Sequence, residues 1–317
     1  MGAVIPGLVL VAAVRLDRRK EKNAQQEETT NATVQEETVY QPISQIRIPV
    51  LSSDGVVTEM DLETYLCGVV LAEMPVDFET EALKAQSVVA RTFALRRYTT
   101  RTKHPDGAVC TDPACCQGYF PPDSYLEKGG SREGVEKVQA AVLATSGQVL
   151  TYRNELIEAT YFSCSGGKTE DAVAVWGNDV PYLQSTSSPG EENAVHFTDT
   201  VTFTPAEVSG ALGVELKGPP DVWFGPITYT DGGGVDTISV CGREFTGVEM
   251  RKLLNLRSTA FSITASEEAV TVVTHGYGHR VGMSQYGADA MAVSGSNYEE
   301  ILSHYYQSTE LVNYPIS

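Results

Sequence analysis

Leu62-Glu63-Thr64-Tyr65-Leu66-Cys67-Gly68-Val69-Val70-Leu71-Ala72-Glu73-Met74-Pro75 is the stretch on which the reading of this chain turns. Asp61 stands before it as an N-cap, and Leu62, Tyr65, Leu66, Val69 and Val70 recur at helical spacing, so the residues predict an apolar-faced helix that Pro75 ends. Upstream, Ile46–Leu51 and Val56–Met60 flank Ser52-Ser53-Asp54-Gly55, the pattern of a β-hairpin. Downstream, Glu79–Tyr98 repeats the helical pattern through Ala82, Leu83, Ala90, Phe93 and Ala94, and a third helix is expected from Ser131 to Thr145. Gln148–Tyr152 and Glu155–Ser163 then read as a hairpin across Arg153-Asn154. Later segments are short strands punctuated by capping boxes at Thr204–Glu207, Thr246–Glu249 and Ser296–Glu299, with a turn at Asp231–Gly234. Without a regular βαβ alternation, the expected class is α+β: a helical region carrying Glu73 joined to short antiparallel sheets.

The 317 residues allow one large domain or two ordinary ones. Forty-one acidic residues against 23 Lys and Arg leave a net charge of −18, which argues against nucleic acid as a partner because phosphate binding needs clustered cations. A hydrophobic content of 42% supplies a core, and six cysteines in a chain this long do not make a disulfide scaffold. Ala3–Val14 is an unbroken apolar run followed by Arg15, Arg18, Arg19 and Lys20. A spanning helix needs about 20 residues, so residues 1–20 are read as an incomplete N-terminal membrane anchor. Residues 21–42, rich in Glu, Gln, Thr and Asn, are expected to be a disordered acidic linker. The folded part is expected over residues 43–317.

Four segments carry residues suited to chemistry. Glu73 closes an apolar helix among Val70, Met74 and Phe78; there it is either a desolvated carboxyl able to act as a general acid or a solvated last-turn glutamate. Lys84, Gln86, Arg91 and Arg97 share the next helix, with Lys84 and Arg91 on one face, which suggests a groove for anionic substituents or cations snorkelling at a core edge. His104, Cys110, Cys115 and Cys116 fall within one short loop and suit one structural zinc; free thiols or a disulfide from Cys110 are the alternatives. In Tyr161-Phe162-Ser163-Cys164-Ser165-Gly166-Gly167 neither serine stands in a nucleophile elbow, and a Cys164 nucleophile paired with His275 or His279 lacks an orienting Asp or Asn. His275-Gly276-Tyr277-Gly278-His279 has the spacing of helical zinc hydrolases but no intervening Glu, and its glycines favour a loop approaching a ligand closely.

Taken together, several strings resemble one bacterial family. Leu62-Glu63-x-Tyr65-Leu66-x-Gly68-Val69-Val70, Glu73-Met74-Pro75, Glu81-Ala82-Leu83-Lys84-Ala85-Gln86, Ala90-Arg91-Thr92, Ser163-x-Ser165-Gly166-Gly167 and His275-Gly276-x-Gly278-His279-x-Val281-Gly282-Met283-Ser284-Gln285-Tyr286-Gly287-Ala288 are similar to stage II sporulation protein D and the wider amidase-enhancer family. Trp176 and Pro181-Tyr182-Leu183 also match by position. The resemblance implies a membrane-anchored lytic transglycosylase, facing the extracytoplasmic space, that cuts peptidoglycan glycan strands during engulfment of the forespore. It implies as partners a sporulation amidase (stage II protein P) and a membrane scaffold (stage II protein M). It makes Glu73 the catalytic acid and places Arg91, Tyr161 and Ser163 along the substrate. Some members bind zinc through a His and Cys cluster, which His104, Cys110 and Cys116 match, whereas Cys115 stands where a His is expected.

A hydrolase usually needs two carboxylates, while a lytic transglycosylase can use one, because the sugar's own C6 hydroxyl replaces water. Lys84, Gln86, Arg91, Tyr161, Ser163, Ser165, His275, His279 and Gln285 are the expected substrate-binding set. Lys84 and Arg91 are expected to hold the lactyl carboxylates of strands already stripped of peptide. The alternative is a non-catalytic module that grips glycan and activates a cell-wall amidase.

Overall fold

A computed structural model describes residues 46–315; the expected anchor, the whole expected linker and the first three residues of the expected folded part lie outside the described residues. Strands β1 (Arg47–Leu51) and β2 (Val57–Asp61) pair antiparallel with Arg47 opposite Asp61, as their flanking of the Ser-Asp-Gly turn predicts. Asp61 then caps helix α1 (Leu62–Glu73), its Oδ1 accepting from the Thr64 N–H at 3.0 Å. Met74 turns extended (φ −126°) as the residue before a proline must, so the helix stops with Glu73 as its last member.

Helix α2 (Thr80–Thr100) runs through the middle of the helical half. It packs against α1, strand β4 and three later helices, so residues on nearly its whole circumference, Gln86, Ser87, Arg91 and Thr92 among them, are buried. Strand β3 (Val109–Cys110) adds in parallel to β1. The short helix α3 (Pro122–Glu127) precedes α4 (Arg132–Ala144), whose cap Ser131 accepts from the Gly134 N–H at 3.0 Å.

The hairpin expected across Arg153-Asn154 forms between β4 (Gln148–Tyr152) and β5 (Glu155–Leu156), with both turn residues at positive φ as a two-residue turn of this hand requires. It does not continue to Ser163. Glu158 is drawn off by Arg96 and Arg97, and Thr160 donates to the Val281 carbonyl at 3.1 Å. The chain therefore peels away, and β6 (Tyr161–Phe162) pairs elsewhere.

The segment after the short helix α5 (Ala172–Trp176) builds its own core. Strands β7 (Thr198–Phe203), β8 (Phe224–Tyr229), β9 (Val235–Val240), β10 (Arg243–Thr246), β11 (Phe261–Ala265) and β12 (Val270–His275) form two antiparallel three-stranded sheets, β10-β9-β8 and β11-β12-β7. Helices α6 (Pro205–Leu212) and α7 (Gly247–Leu253), each opened by an expected capping box, contribute Val208, Leu212 and Met250 to a core with Ile238, Phe245 and Val272. Strand β13 (Met283–Ser284) returns to pair in parallel with β6, leading into α8 (Gln285–Val293) and α9 (Tyr298–Tyr305), and β14 (Glu310–Asn313) joins β4. The α9 capping box sits one residue later than expected: Asn297 accepts from the Glu300 N–H at 3.0 Å and Glu300 accepts in return at 2.9 Å. That register buries Ile301, Leu302 and Tyr305. The class is α+β, with two short parallel pairings among the antiparallel sheets.

Candidate functional site

Glu73 ends α1, where the unpaired carbonyls of the last turn put partial negative charge beside its carboxyl. It lines a cavity of about 330 Å³ together with Phe93, Tyr161, Ser163, His279 and Gln285. Burial raises the Glu73 pKa above the ordinary carboxyl value; the Gly118 N–H, the Tyr161 hydroxyl and the Gln285 amide pull it back only in part. The Gly118 N–H donates to Glu73 Oε1 at 2.6 Å, and a Cβ at Gly118 would stand 3.0 Å from that oxygen. Glycine is what lets this backbone reach the acid. Among the described residues Glu73 has no ion-pair partner, because all seven ion pairs lie elsewhere.

Tyr161 and Gln285 come from β6 and the first turn of α8, which the β6–β13 pairing sets side by side. Gln117 Nε2 donates to the Tyr161 hydroxyl oxygen at 3.2 Å, so the phenol is held from behind. Gln285 brings its side-chain amide to the Glu73 carboxyl at the wall of the cavity. His279 stands between Phe162 and Trp176, with ring centroids 5.7 and 5.4 Å away. Burial, aided by the Arg251 charge, pushes its pKa down to about 4, so the ring is neutral at physiological pH. Its Nδ1 accepts from the Val281 N–H at 3.2 Å, which puts the ring proton on Nε2. The loop around it hugs β6 so closely that a Cβ at Gly282 would fall 2.1 Å from the Thr160 oxygen.

Of the expected substrate-binding residues, Tyr161, Ser163, His279 and Gln285 line this cavity, and five do not. Arg91 is fully buried: its Nε and Nη2 meet the two Glu63 oxygens at 3.0 and 2.6 Å, and Nη2 also donates to the Val142 carbonyl at 3.1 Å. Lys84 is committed to Glu81 at 2.6 Å and lies over the Tyr298 ring. Gln86 is fully buried with both amide atoms lacking a hydrogen-bond partner. Ser165 is buried, donating from Oγ to Glu191 at 2.9 Å, and His275 is exposed beside Thr198. The polar positions of α2 looked like a groove face, but a helix wrapped on nearly every side has none. Cys164 is also set aside from nucleophilic work, since burial and the nearby Glu191 charge push its thiol up to about 12.

Two further cavities flank the first. One of about 600 Å³ shares Phe93, Thr160 and His279 with it and adds Trp176, Arg97 and Lys103. The other, about 370 Å³, shares Glu73 and is walled by Tyr119, Phe120 and Lys128. Gly118, Arg96 and Lys103 escaped the sequence reading; only the glycine directly behind the cysteine cluster hinted at a close backbone approach.

His104, Cys110, Cys115 and Cys116 bring their donor atoms within 4.8 Å of one another, with Cys115 Sγ 3.4 Å from His104 Nε2. Tetrahedral ligation with metal–sulfur and metal–nitrogen bonds of about 2.3 and 2.0 Å sets donors a little under 4 Å apart, so the donor set fits a metal ion. The six cysteines are free thiols. Burial, with Cys110 and Cys115 adjacent, pushes the Cys116 thiol up to about 12, so ligation must displace its proton.

The family model described as Stage II sporulation protein matches residues 52–152, the span that holds both Glu73 and the His/Cys cluster. The chain is 39% identical over 274 residues to Stage II sporulation protein D of Bacillus subtilis (strain 168), covering 84% of this chain and 79% of that protein. It is 36% identical over 312 residues to Stage II sporulation protein D of Bacillus amyloliquefaciens, covering 96% and 90%. The amidase enhancer of Bacillus subtilis (strain 168) is 28% identical over 307 residues, covering 78% of this chain and 40% of that protein. No helix among the described residues is long and apolar enough to cross a membrane. On these identities and spans, the chain belongs to the stage II sporulation protein D family.

Proposed function

We propose that this protein is a lytic transglycosylase that cuts peptidoglycan glycan between N-acetylmuramic acid and N-acetylglucosamine, with Glu73 as its acid. One observation carries the reading: among the described residues, Glu73 is the only carboxyl lining the central cavity, and its pKa is raised. A hydrolase would place a second carboxylate across the bond. Protonated Glu73 gives its proton to the glycosidic oxygen as the bond to the muramic anomeric carbon breaks. The resulting carboxylate, steadied by the Gly118 N–H, takes the proton of that sugar's C6 hydroxyl, whose oxygen closes the 1,6-anhydro ring. No water is consumed. Neutral His279 and Phe162 wall the site, while Tyr161 and Gln285 supply hydrogen bonds at the acid.

Family membership supports the remaining proposals: action on peptide-stripped strands during engulfment, alongside the sporulation amidase and the stage II protein M scaffold, from an anchor that includes Ala3–Val14. The metal proposed for His104, Cys110, Cys115 and Cys116 is a structural zinc. Zinc contributes folding energy when bound, so one zinc per chain by elemental analysis and a chelator-lowered Tm are expected. Metal-free purified protein would remove the assignment. The likeness to the amidase enhancer favours a second reading, a glycan-gripping activator without chemistry of its own. The deciding experiment incubates purified peptide-free strands with the protein and with Glu73→Gln, then looks by mass for anhydro ends. Ends from the wild type alone support the enzyme; none from either, with a partner amidase accelerated, support the activator.

A further inference from the structure

The cavity beside the central one is cationic in an acidic chain. Arg96, Arg97 and Lys103 line it against one carboxylate, Glu158, while the chain as a whole carries −18. Glu158 is shared by Arg96 Nε at 3.0 Å and by Arg97 Nη2. Arg97 keeps a buried Nε with no hydrogen-bond partner and lies with its guanidinium 4.7 Å from the Phe93 ring centroid. Lys103 Nζ donates to the Cys115 carbonyl at 2.5 Å; an ammonium has three donors. An indole lines the same cavity. Trp176 is 42% exposed, whereas the chain's other tryptophan, Trp223, is 6% exposed in a core. Trp176 rests against His279, which also walls the Glu73 cavity.

An exposed aromatic face suits the apolar face of a pyranose ring, and cations with spare donors suit a carboxylate. We propose that this cavity is a subsite for an acidic amino sugar: Trp176 stacks on the ring, and Lys103 with Arg97 holds its free carboxylate. The inference rests on the glycan-cleaving reading and says where beside the acid a muramic carboxylate is read, and by which charge. It puts the carboxylate-binding role on Lys103 and Arg97, since Lys84 and Arg91 are occupied elsewhere.

The test is calorimetric binding to Glu73→Gln protein, which keeps ligand uncut. Three probes are compared: a neutral chitin tetrasaccharide, a peptide-free tetrasaccharide alternating N-acetylglucosamine and N-acetylmuramic acid, and the same strand bearing stem peptides. The peptide-free acidic strand should bind about fivefold tighter than either other probe, from one partly exposed ion pair, and the margin should shrink with salt. Lys103→Gln should erase the margin while leaving chitin affinity unchanged, Lys103→Arg should restore it, and Trp176→Ala should weaken all three probes. Equal affinity for the three probes, or a Lys103→Gln loss that is the same on chitin, would overturn the proposal. Because binding is read without cleavage, a wild type that forms no anhydro ends refutes the enzyme reading alone. Normal cleavage without carboxylate preference refutes this inference alone.

Discussion

Two glutamates mark the two ends of α1, and they have opposite surroundings. Glu63, in the first turn, is fully buried and meets the Arg91 guanidinium through two hydrogen bonds, with Ser146 Oγ adding a third at 3.2 Å. Glu73, in the last turn, is partly exposed, has no ion-pair partner among the described residues, and faces a cavity. The difference teaches that burial alone does not make a proton donor. A buried carboxylate with a bidentate cationic partner is structure, whereas a desolvated carboxyl met only by neutral hydrogen-bond donors has its pKa raised.

Removing the proton tests the contrast most severely. Glu73→Gln is expected to lower formation of anhydro ends by about 10³-fold or more, measured by mass analysis, without loss of fold. Arg91→Met should do the reverse. It strands Glu63 and is expected to cost about 3–5 kcal/mol in denaturant unfolding; comparable loss from both variants would erase the distinction between the two ends. Gly118→Ala, whose Cβ presses on Oε1 from 3.0 Å, should slow cleavage about tenfold with little change in Tm.

The smallest effect is in pH. The folded pKa of Glu73 is raised, so wild-type stability from this group is present below the ordinary carboxyl pKa of about 4.5 and is lost as pH rises through the folded value. Glu73→Gln should therefore match the wild type in Tm near pH 4 and exceed it by about 1–2 °C at pH 8, a small margin because solvent reaches the carboxyl. Cleavage should fall over the same rise. A Tm difference that does not vary with pH would mean Glu73 titrates as an ordinary carboxylate.

What could be read from residues alone was local. The Asp61 cap, the Pro75 stop, the Arg153-Asn154 turn and the position of Glu73 all depend on neighbours within a few residues, as does the crowding of His104 with three cysteines. The partner of Arg91 lies 28 residues away, and nothing in the α2 pattern showed that later helices would wrap it. The α2 pattern alone therefore puts its polar side chains on a groove, whereas the cations that face one are Arg96, Arg97 and Lys103 at and beyond its final turns. The break between β5 and β6 is of the same kind, because Thr160 is claimed by a carbonyl 121 residues on.

Two cavities meet at Glu73, one of about 330 Å³ and one of about 370 Å³. A recess closed behind the acid would admit only the tip of a polymer and shorten it unit by unit. If the two cavities hold one continuous strand, the proposed function lets that strand lie across the acid and be nicked along its length. On the proposed function each event then makes two chains from one, so a few turnovers at scattered places slacken a mesh that end-trimming would leave taut.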